Sequence, residues 1–499
     1  MTVPLPFSPD LQPEVLARAL DARDARFDGL FFVGITTTGI YCRPVCPARV
    51  SIFSRRRFFG SAAAAECSGF RPCLRCRPEL APGRALVDAV PRLAQAAATR
   101  IAAGAFNGRT VASLAHELGV SERHLRRALE REVGASPLGL AQTHRLLLAK
   151  RLLADTALPV TQIAYASGFQ SLRRFNAAFR TQYRMPPSAL RRSGATARVV
   201  ATPPESSLLR LTLAYRPPLA WDAMLASLRR EAIAGVEAIA QGTYSRIVEL
   251  DGRRGVVRVQ DASERRRSVR TEPSAARRTA QLTLEVSPAL VPVLMPVLAR
   301  LRHVFDLDAE PSVIDAHLTA GGLGALVARC PGLRLPSAMT GFEATFRVLL
   351  GSRAAAVVAT LGTRFDSGIP ELDRAIPSAA NVLTAGAARL TACGVSSLTA
   401  EALLKVARQL DDGTLRLEPG ESVASAHRAL VAIRGVGERR AAMIVARALA
   451  WPDAFDASDR ALQRAAGTAS ARELAARAES WRPWRAYATL HLTRRAVLR

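Results

Sequence analysis

Two short segments near the N-terminus decide how the first part of the chain folds: Tyr41-Cys42-Arg43-Pro44-Val45-Cys46 and Phe70-Arg71-Pro72-Cys73-Leu74-Arg75-Cys76. Their cysteines follow a C-x3-C pattern, a gap of 26 residues and a C-x2-C pattern. Two closely spaced pairs of thiolates can surround one Zn²⁺ tetrahedrally. The spacing therefore predicts a small domain that binds one zinc ion through Cys42, Cys46, Cys73 and Cys76.

This cysteine pattern is open to three interpretations. Most four-cysteine zinc sites are structural. Disulfides fit poorly, because the sequence shows no signal peptide and intracellular proteins normally keep thiols reduced. A zinc ion with four thiolates carries a formal charge of −2, however, and arginines suited to DNA phosphates surround it here, Arg43 and Arg71 among them. The site is therefore also a candidate nucleophile toward DNA.

The composition of the chain points to a polyanionic partner. Its 499 residues carry a formal net charge of +27, and residues 51–200 hold 24 lysines and arginines against 8 aspartates and glutamates. Such a local surplus is typical of nucleic-acid binding. A membrane partner is not expected, because the longest apolar stretch, 289–299, is short and contains Pro292 and Pro296.

A doubled pattern in residues 110–181 predicts two helix-turn-helix units. The segment 110–120 is amphipathic with a turn at Gly119, and Ser121 follows as the cap of a second helix. About fifty residues later Gly168 and Ser171 repeat the arrangement. Arginine and asparagine suit base edges in the major groove, and the two predicted recognition helices present Arg123, Arg126, Arg127, Arg173, Arg174 and Asn176. A purely structural helical hairpin is the alternative.

The C-terminal half contains a predicted helix-hairpin-helix at 430–445, LVAIRGVGERRAAMIV. Glycines at 435 and 437 would let backbone N–H groups approach a DNA phosphate, which makes Gly435 and Gly437 candidate DNA-binding residues. Asp459 follows about twenty residues later, with Asp456 as a nearby competitor. The alternative role for Asp459 is that of a helix N-cap.

Two family resemblances rest on residues in the first 193 positions. Gly168-Phe169-Gln170-Ser171 with Phe175, Phe179 and Pro186 resembles the second half of an AraC-type DNA-binding domain, which regulates transcription. The strings 38–44 and 69–78 resemble the N-terminal domain of Ada-type methyl-phosphotriester repair proteins. In that family four cysteines bind zinc, and the first irreversibly takes a methyl group from a methylated DNA phosphate. The resemblance implies that Cys42 is both a ligand and the methyl acceptor.

The hairpin and Asp459, together with 334–336, 349–351 and 481–488, resemble AlkA-type 3-methyladenine DNA glycosylases over residues 208–499. The resemblance implies that Asp459 is the catalytic carboxylate. Arg439, Met443 and Thr493 stand where that family places aromatic rings. Ser352 and Arg353 stand where it places a glutamine after Leu-Gly and, beside it, the residue that is wedged into the duplex. Bifunctional relatives carry a lysine at Arg439 or Arg440, so strand nicking is not expected. The chain lacks a Pro-Cys-His-Arg string, so repair of O6-methylguanine is not predicted either.

These observations predict a multidomain, mainly α fold. A small α+β zinc domain spans 1–80, an all-α double helix-turn-helix 84–193 and a linker 194–207. An α+β glycosylase half follows, with a β-sheet subdomain at 208–290, where 209–213, 255–259 and 281–286 alternate as strands, and a helix-hairpin-helix domain at 291–499.

The predicted function is an alkylation response that combines methyl acceptance, transcription activation and base excision. The expected partners are alkylated double-stranded DNA, specific promoter sequences and RNA polymerase, and the expected location is the cytoplasm, in association with the nucleoid. The alternative is a transcription regulator whose glycosylase-like half is weak or inactive and only grips DNA.

Overall fold

A computed structural model of the protein describes residues 13–48, 52–82, 92–194, 208–261 and 280–497. The chain divides into two compact units: unit 1 comprises 1–216 and 275–299, and unit 2 comprises 217–274 and 300–499. The predicted linker, 194–207, lies outside the described residues apart from its first position.

The helices of unit 1 are α1 (Pro13–Asp21), α2 (Ala62–Cys67), α3 (Arg92–Ala102), α4 (Val111–Glu117), α5 (Glu122–Glu132), α6 (Pro137–Asp155), α7 (Val160–Ala166), α8 (Leu172–Tyr183) and α9 (Pro187–Gly194). Its strands are β1 (Phe32–Ile35), β2 (Ile40–Cys42), β3 (Arg56–Phe59), β4 (Arg71–Pro72), β5 (Leu209–Ala214) and β9 (Gln281–Val286).

Unit 2 contains the strands β6 (Glu237–Ala240), β7 (Thr243–Leu250) and β8 (Arg253–Asp261). Its helices are α10 (Trp221–Glu231), α12 (Pro311–Leu318), α13 (Gly324–Arg329), α14 (Gly341–Leu350), α15 (Ala354–Leu361), α16 (Ala379–Ala392), α17 (Ser397–Asp411), α18 (Val423–Val431), α19 (Gly437–Leu449), α20 (Arg460–Ala466), α21 (Ala471–Ala478) and α22 (Arg485–Val497). Helix α11 (Leu294–Val304) begins in unit 1 and ends in unit 2.

The part of unit 1 that contains β1 to β4 and the four predicted zinc ligands is called the cysteine module. It is built on a four-stranded sheet in the order β3-β1-β2-β4. Strand β1 pairs antiparallel with β2 and β3, whereas β2 and β4 run parallel. Because side chains alternate along a strand, Phe31 and Val33 pack with the four cysteines on one face. Phe32 and Tyr41 pack with other aromatic rings on the opposite face. The sheet therefore brings the ends of β2 and β4, which carry the two cysteine pairs, side by side.

The doubled helix-turn-helix forms as the sequence predicts. Thr110 caps α4 and Ser121 caps α5, each accepting a backbone N–H of the first turn. Gly119 and Gly168 adopt φ of 68° and 84°, the left-handed region that glycine occupies without strain. The second unit, α7 and α8, has Ser171 as the cap of α8, and α6 connects the two units.

Unit 2 combines an antiparallel β6-β7-β8 meander with a helical core. The core is formed largely by α14, α17, α18 and α19. The segment Gly341–Leu361 has the length and apolar composition of a membrane span. Its side chains Phe346, Val357 and Val358 are nevertheless fully buried in this core, as in the central helix of an ordinary folded domain.

The strands predicted at 209–213, 255–259 and 281–286 coincide with β5, β8 and β9. Within unit 1, β5 and β9 pair antiparallel from Leu209 opposite Val286 to Ala214 opposite Gln281. The mainly α, multidomain fold class predicted from the sequence is confirmed.

Candidate functional site

The four predicted zinc ligands converge on one point. The Sγ atoms of Cys42, Cys46, Cys73 and Cys76 all lie within 4.8 Å of one another, and each side chain is at least nine-tenths buried. A tetrahedral site with Zn–S bonds of about 2.3 Å separates its sulfurs by about 3.8 Å. The cluster therefore fits one zinc ion, and Cys67, which is exposed, lies outside it.

The charge of four neighbouring thiolates also indicates that a cation binds among them. Hydrogen bonding with the other three cysteines raises the pKa of Cys42 above the usual thiol value. Four sulfurs this close together cannot all ionise without a positive charge among them. A divalent metal ion supplies that charge, and the chemistry of the donor set suits zinc.

Backbone N–H groups stabilise three of the four sulfurs. Arg43 N donates to Sγ of Cys76 and Arg75 N to Sγ of Cys73, both at 3.4 Å, and Ala48 provides a backbone hydrogen bond to Cys46. Within the described residues, no backbone N–H donates to Cys42. These backbone donors favour the thiolate form of the other three sulfurs.

Arg43 lies inside the cysteine module and not on its surface. Its side chain is about 5% exposed and forms an ion pair with Asp28, with Nε 2.8 Å from Oδ1. Its Nη1 donates to the carbonyl of Cys76 at 3.1 Å. Arg43 thus ties the Cys42–Cys46 turn to the second cysteine pair, and the predicted contact with DNA would require this ion pair to break. Arg71, on β4, is half-buried.

A buried lysine, which the sequence analysis did not single out, joins the cysteine module to α6. Lys150 Nζ donates to the carbonyl of Cys73 at 2.9 Å and to Glu79 at 2.7 Å, and its side chain is 3% exposed. Beside it, Arg77 forms a bidentate pair with Asp155 at 2.7 and 2.8 Å. The sequence contains one hint of a special role for this residue: Lys150 and Lys405 are the two lysines of a chain that otherwise uses arginine.

Glu66 forms a second connection between the module and α6. Its carboxylate accepts hydrogen bonds from Tyr41 Oη at 2.9 Å and from Thr143 Oγ1 at 2.6 Å. Burial raises the pKa of Glu66 to about 7. Since Tyr41 precedes Cys42, this contact lies next to the methyl acceptor implied by the resemblance.

The predicted DNA-reading side chains lie on the outer faces of α5 and α8. Arg123, Arg126 and Arg127 are exposed above the buried Leu125 and Leu129. On α8, Arg173 and Arg174 are exposed and Asn176 is half-buried, above the buried Phe175 and Phe179.

The helix-hairpin-helix consists of α18, a tight turn and α19. Gly435 and Gly437 adopt φ of 94° and 68°. A Cβ atom at Gly435 would lie 2.9 Å from the carbonyl oxygen of Leu398, so only glycine fits this turn. Arg440 Nη1 donates to the carbonyl of Gly435 at 3.0 Å.

Asp459 is the N-cap of α20 and also faces a cation. Its Oδ1 accepts the backbone N–H groups of Ala461 and Leu462 at 2.8 and 3.2 Å. Its Oδ2 accepts from Nη2 of Arg439 at 3.3 Å, and Nε of Arg439 lies 3.5 Å from Oδ2 of Asp456. The capping role and the candidate catalytic position therefore coexist in one carboxylate.

The other two positions where an aromatic ring was expected, 443 and 493, also hold non-aromatic side chains. Met443, on α19, is 40% exposed. Thr493 Oγ1 donates to the carbonyl of Thr489 within α22 at 2.8 Å. Ser352 and Arg353 are exposed at the end of α14.

Three family profiles match the chain: the metal binding domain of Ada at residues 16–79, a helix-turn-helix domain at 114–193 and the AlkA N-terminal domain at 210–340. Over 95% of both chains, the sequence is 35% identical to the probable bifunctional transcriptional activator/DNA repair enzyme AlkA of Mycobacterium tuberculosis. It is 30% identical to DNA-3-methyladenine glycosylase 2 of Escherichia coli, over 56% of this chain and 95% of that enzyme. It is 32% identical to the bifunctional transcriptional activator/DNA repair enzyme Ada of E. coli, over 29% of this chain and 40% of that protein.

Proposed function

Because the chain belongs to the family of bifunctional transcriptional activators and DNA repair enzymes with Ada-type and AlkA-type parts, we propose that it senses alkylated DNA, repairs it and activates transcription in response. Unit 1 accepts methyl groups from DNA methyl-phosphotriesters and binds promoter DNA. Unit 2 removes alkylated bases such as 3-methyladenine. The observation that carries the first activity is the convergence of four cysteines on one metal site.

Cys42, Cys46, Cys73 and Cys76 hold the zinc, which keeps the cysteines as thiolates at neutral pH. Cys42 Sγ attacks the methyl carbon of the phosphotriester and forms an S–C bond. The C–O bond breaks, its electron pair stays on the phosphate oxygen, and the phosphodiester anion is restored. The three neighbouring thiolates keep Cys42 electron-rich for this attack.

Methyl transfer to Cys42 is tested with duplex DNA that carries methyl-phosphotriesters. After incubation, mass spectrometry of the zinc-loaded protein locates the added methyl group. We expect it on Cys42, with Cys67, an exposed cysteine outside the cluster, unmodified. An unmodified Cys42 in zinc-loaded protein contradicts the proposal.

Methylation also provides the switch for transcription. A thioether at Cys42 changes the formal charge of the zinc site from −2 to −1, so repulsion toward DNA phosphates falls and affinity rises. The arginines of α5 and α8 then read the promoter. RNA polymerase is the proposed partner of the activated protein, and the cytoplasm, next to chromosomal DNA, is its proposed location.

In unit 2 the damaged nucleotide is flipped out of the duplex, and Asp459 stabilises positive charge that develops on the sugar. The bond between C1′ and the base breaks and its electron pair leaves with the base. Water then adds to C1′ and loses a proton. Arg439 and Arg440 carry no free amine at neutral pH, so the reaction ends without cleavage of the strand.

Release of 3-methyladenine from alkylated DNA, by wild type and by Asp459→Asn, tests this activity. We expect wild type to release the base and the variant to lose the activity. The second candidate function is a regulator whose glycosylase-like half only binds DNA. The contact of Arg439 with Asp459 and the non-aromatic residues at 443 and 493 favour it, and no release by wild type would support it.

A further inference from the structure

Arg439 covers the carboxylate that the proposed glycosylase would use. Oδ1 of Asp459 is occupied by the backbone N–H groups that it caps. Oδ2, which the cap leaves available, faces Nη2 of Arg439 at 3.3 Å. Nε of the same guanidinium lies 3.5 Å from Oδ2 of Asp456. A nucleotide whose sugar approaches Oδ2 of Asp459 therefore comes next to Arg439.

The ion pair is exposed and easily opened. The side chain of Arg439 is 65% exposed, and those of Asp456 and Asp459 are each 33% exposed. Pairs of this kind add little stability, because water competes for both charges. The guanidinium can therefore turn from Asp459 toward a bound base without a large cost.

The surface beside Arg439 contains an exposed and flexible apolar side chain. Met443 lies four residues after Arg439 on α19, on the same helical face, and is 40% exposed. Methionine packs against many shapes because its side chain is unbranched and flexible. Arg439 supplies the charge beside this adaptable surface.

The charge of the damaged base decides how it interacts with this guanidinium. A purine methylated on a ring nitrogen is cationic in DNA and leaves as a neutral molecule. A neutral damaged purine leaves with its bonding electrons and develops negative charge. A guanidinium repels the cationic methylated base in the ground state. It stabilises the negative charge on the departing neutral base through charge-assisted hydrogen bonds.

We infer that Arg439 is a specificity-determining residue, which shifts the glycosylase half toward neutral damaged bases with hydrogen-bond acceptors and away from cationic methylated bases. This inference rests on the proposed glycosylase function and names its preferred substrate class. Removal of the charge at this position should move the preference back toward cationic bases.

The test compares wild type, Arg439→Gln and Arg440→Gln in the full-length protein. Release is measured from duplexes that contain either 3-methyladenine, which is cationic, or hypoxanthine, which is neutral. We expect Arg439→Gln to raise the ratio of 3-methyladenine to hypoxanthine release about tenfold. Arg440→Gln removes the same charge from the next position of α19, so it controls for general loss of DNA affinity and should leave this ratio unchanged. An unchanged or lower ratio in Arg439→Gln overturns the inference.

A binding measurement keeps the inference testable apart from turnover. Duplexes carry a 2′-fluorinated nucleotide, which resists cleavage of the bond to the base, with either cationic 7-methylguanine or neutral hypoxanthine as its base. Arg439→Gln should increase the preference for the cationic base, and an unchanged preference overturns the inference. Failure of the proposed function gives a different result, in which wild type and both arginine variants release neither base.

Discussion

Asp459 caps the first turn of α20 with one carboxylate oxygen and meets Arg439 with the other. Asparagine caps a helix about as well as aspartate, but it carries no negative charge. Alanine removes the cap and the charge together. Substitutions at this one position therefore separate its structural role from its proposed catalytic role.

We expect Asp459→Asn to keep the thermal stability of wild type and to lower base release by about 100-fold or more. Asp459→Ala should lose the same activity and, in addition, about 1 kcal/mol of stability. Asp456→Asn is the matched control, because Asp456 contacts the same arginine without capping α20. Thermal unfolding and release assays check the three variants, and a larger loss of release in Asp456→Asn would move the catalytic role to that residue.

Helix α6 packs against the cysteine module, and each charged side chain at this contact has its own specific partner. Lys150 bonds to Glu79 and to the carbonyl of a zinc ligand, while Arg77 holds the last residue of the helix, Asp155. Buried charges are costly when one partner is removed. The interface therefore depends on these particular side chains more than on general apolar contact.

We expect Lys150→Met to destabilise unit 1 by about 2 kcal/mol, because Oε2 of Glu79 and the carbonyl of Cys73 would lose their buried cation, while Arg77 still pairs with Oε1 of Glu79. The double variant Lys150→Met/Glu79→Gln should recover part of this loss. Lys405→Met, at the other lysine, is exposed on α17 and should leave stability unchanged. The loss of stability is measured by thermal unfolding, and tryptic digestion at increasing temperature reports which unit unfolds. Equal stability of Lys150→Met and wild type would contradict the prediction.

The contact between α2 and α6 should depend on pH through Glu66. Its pKa is raised to about 7 by burial, above the ordinary value of about 4.3 that it has in the unfolded chain. The protonated form is favoured on folding, so the contribution is complete below about pH 4 and is lost as the pH rises through 7. Wild type should therefore lose stability between pH 5 and pH 8.

The measurement for Glu66 is the melting temperature at both pH values in wild type and in two variants. Glu66→Gln is permanently neutral, so its loss of stability over this range should be smaller by up to about 3 kcal/mol. Glu130→Gln removes an exposed glutamate of α5 and should follow wild type. Parallel pH profiles for all three proteins would show that Glu66 does not titrate in this range.

Across the whole molecule, the net charge of +27 sets the background on which the proposed methyl switch acts. One unit of charge at the zinc site is a small change, but it lies in a part of the chain where basic residues predominate. Its effect on DNA binding is electrostatic, so mobile ions should screen it.

The gain in promoter affinity on methylation of Cys42 should therefore shrink as salt increases. Affinity is measured for methylated and unmethylated protein at about 0.05 M and 0.3 M salt, where the Debye length falls from above 10 Å to well below it. A gain that is independent of salt would indicate a conformational switch in place of the proposed charge effect.

Features with a local sequence signal were predictable. The cysteine spacing, the serine and threonine caps and the glycine turns each act within a few residues, and the structure contains them where the sequence indicated. The contacts that join elements were not predictable. Arg43 finds Asp28 15 residues away and Lys150 finds Glu79 71 residues away, because burial and pairing at that distance depend on how the elements pack.

The burial of Lys150 has a practical consequence for labelling. The chain has two lysines, and Glu79 and the Cys73 carbonyl hold one of them out of reach of solvent. Lys405 remains as the solvent-accessible lysine side chain, on a helix of unit 2. Among the lysine side chains, an amine-reactive fluorophore would therefore mark this one position, and enzymatic acetylation or ubiquitin-like conjugation of lysine would have the same target.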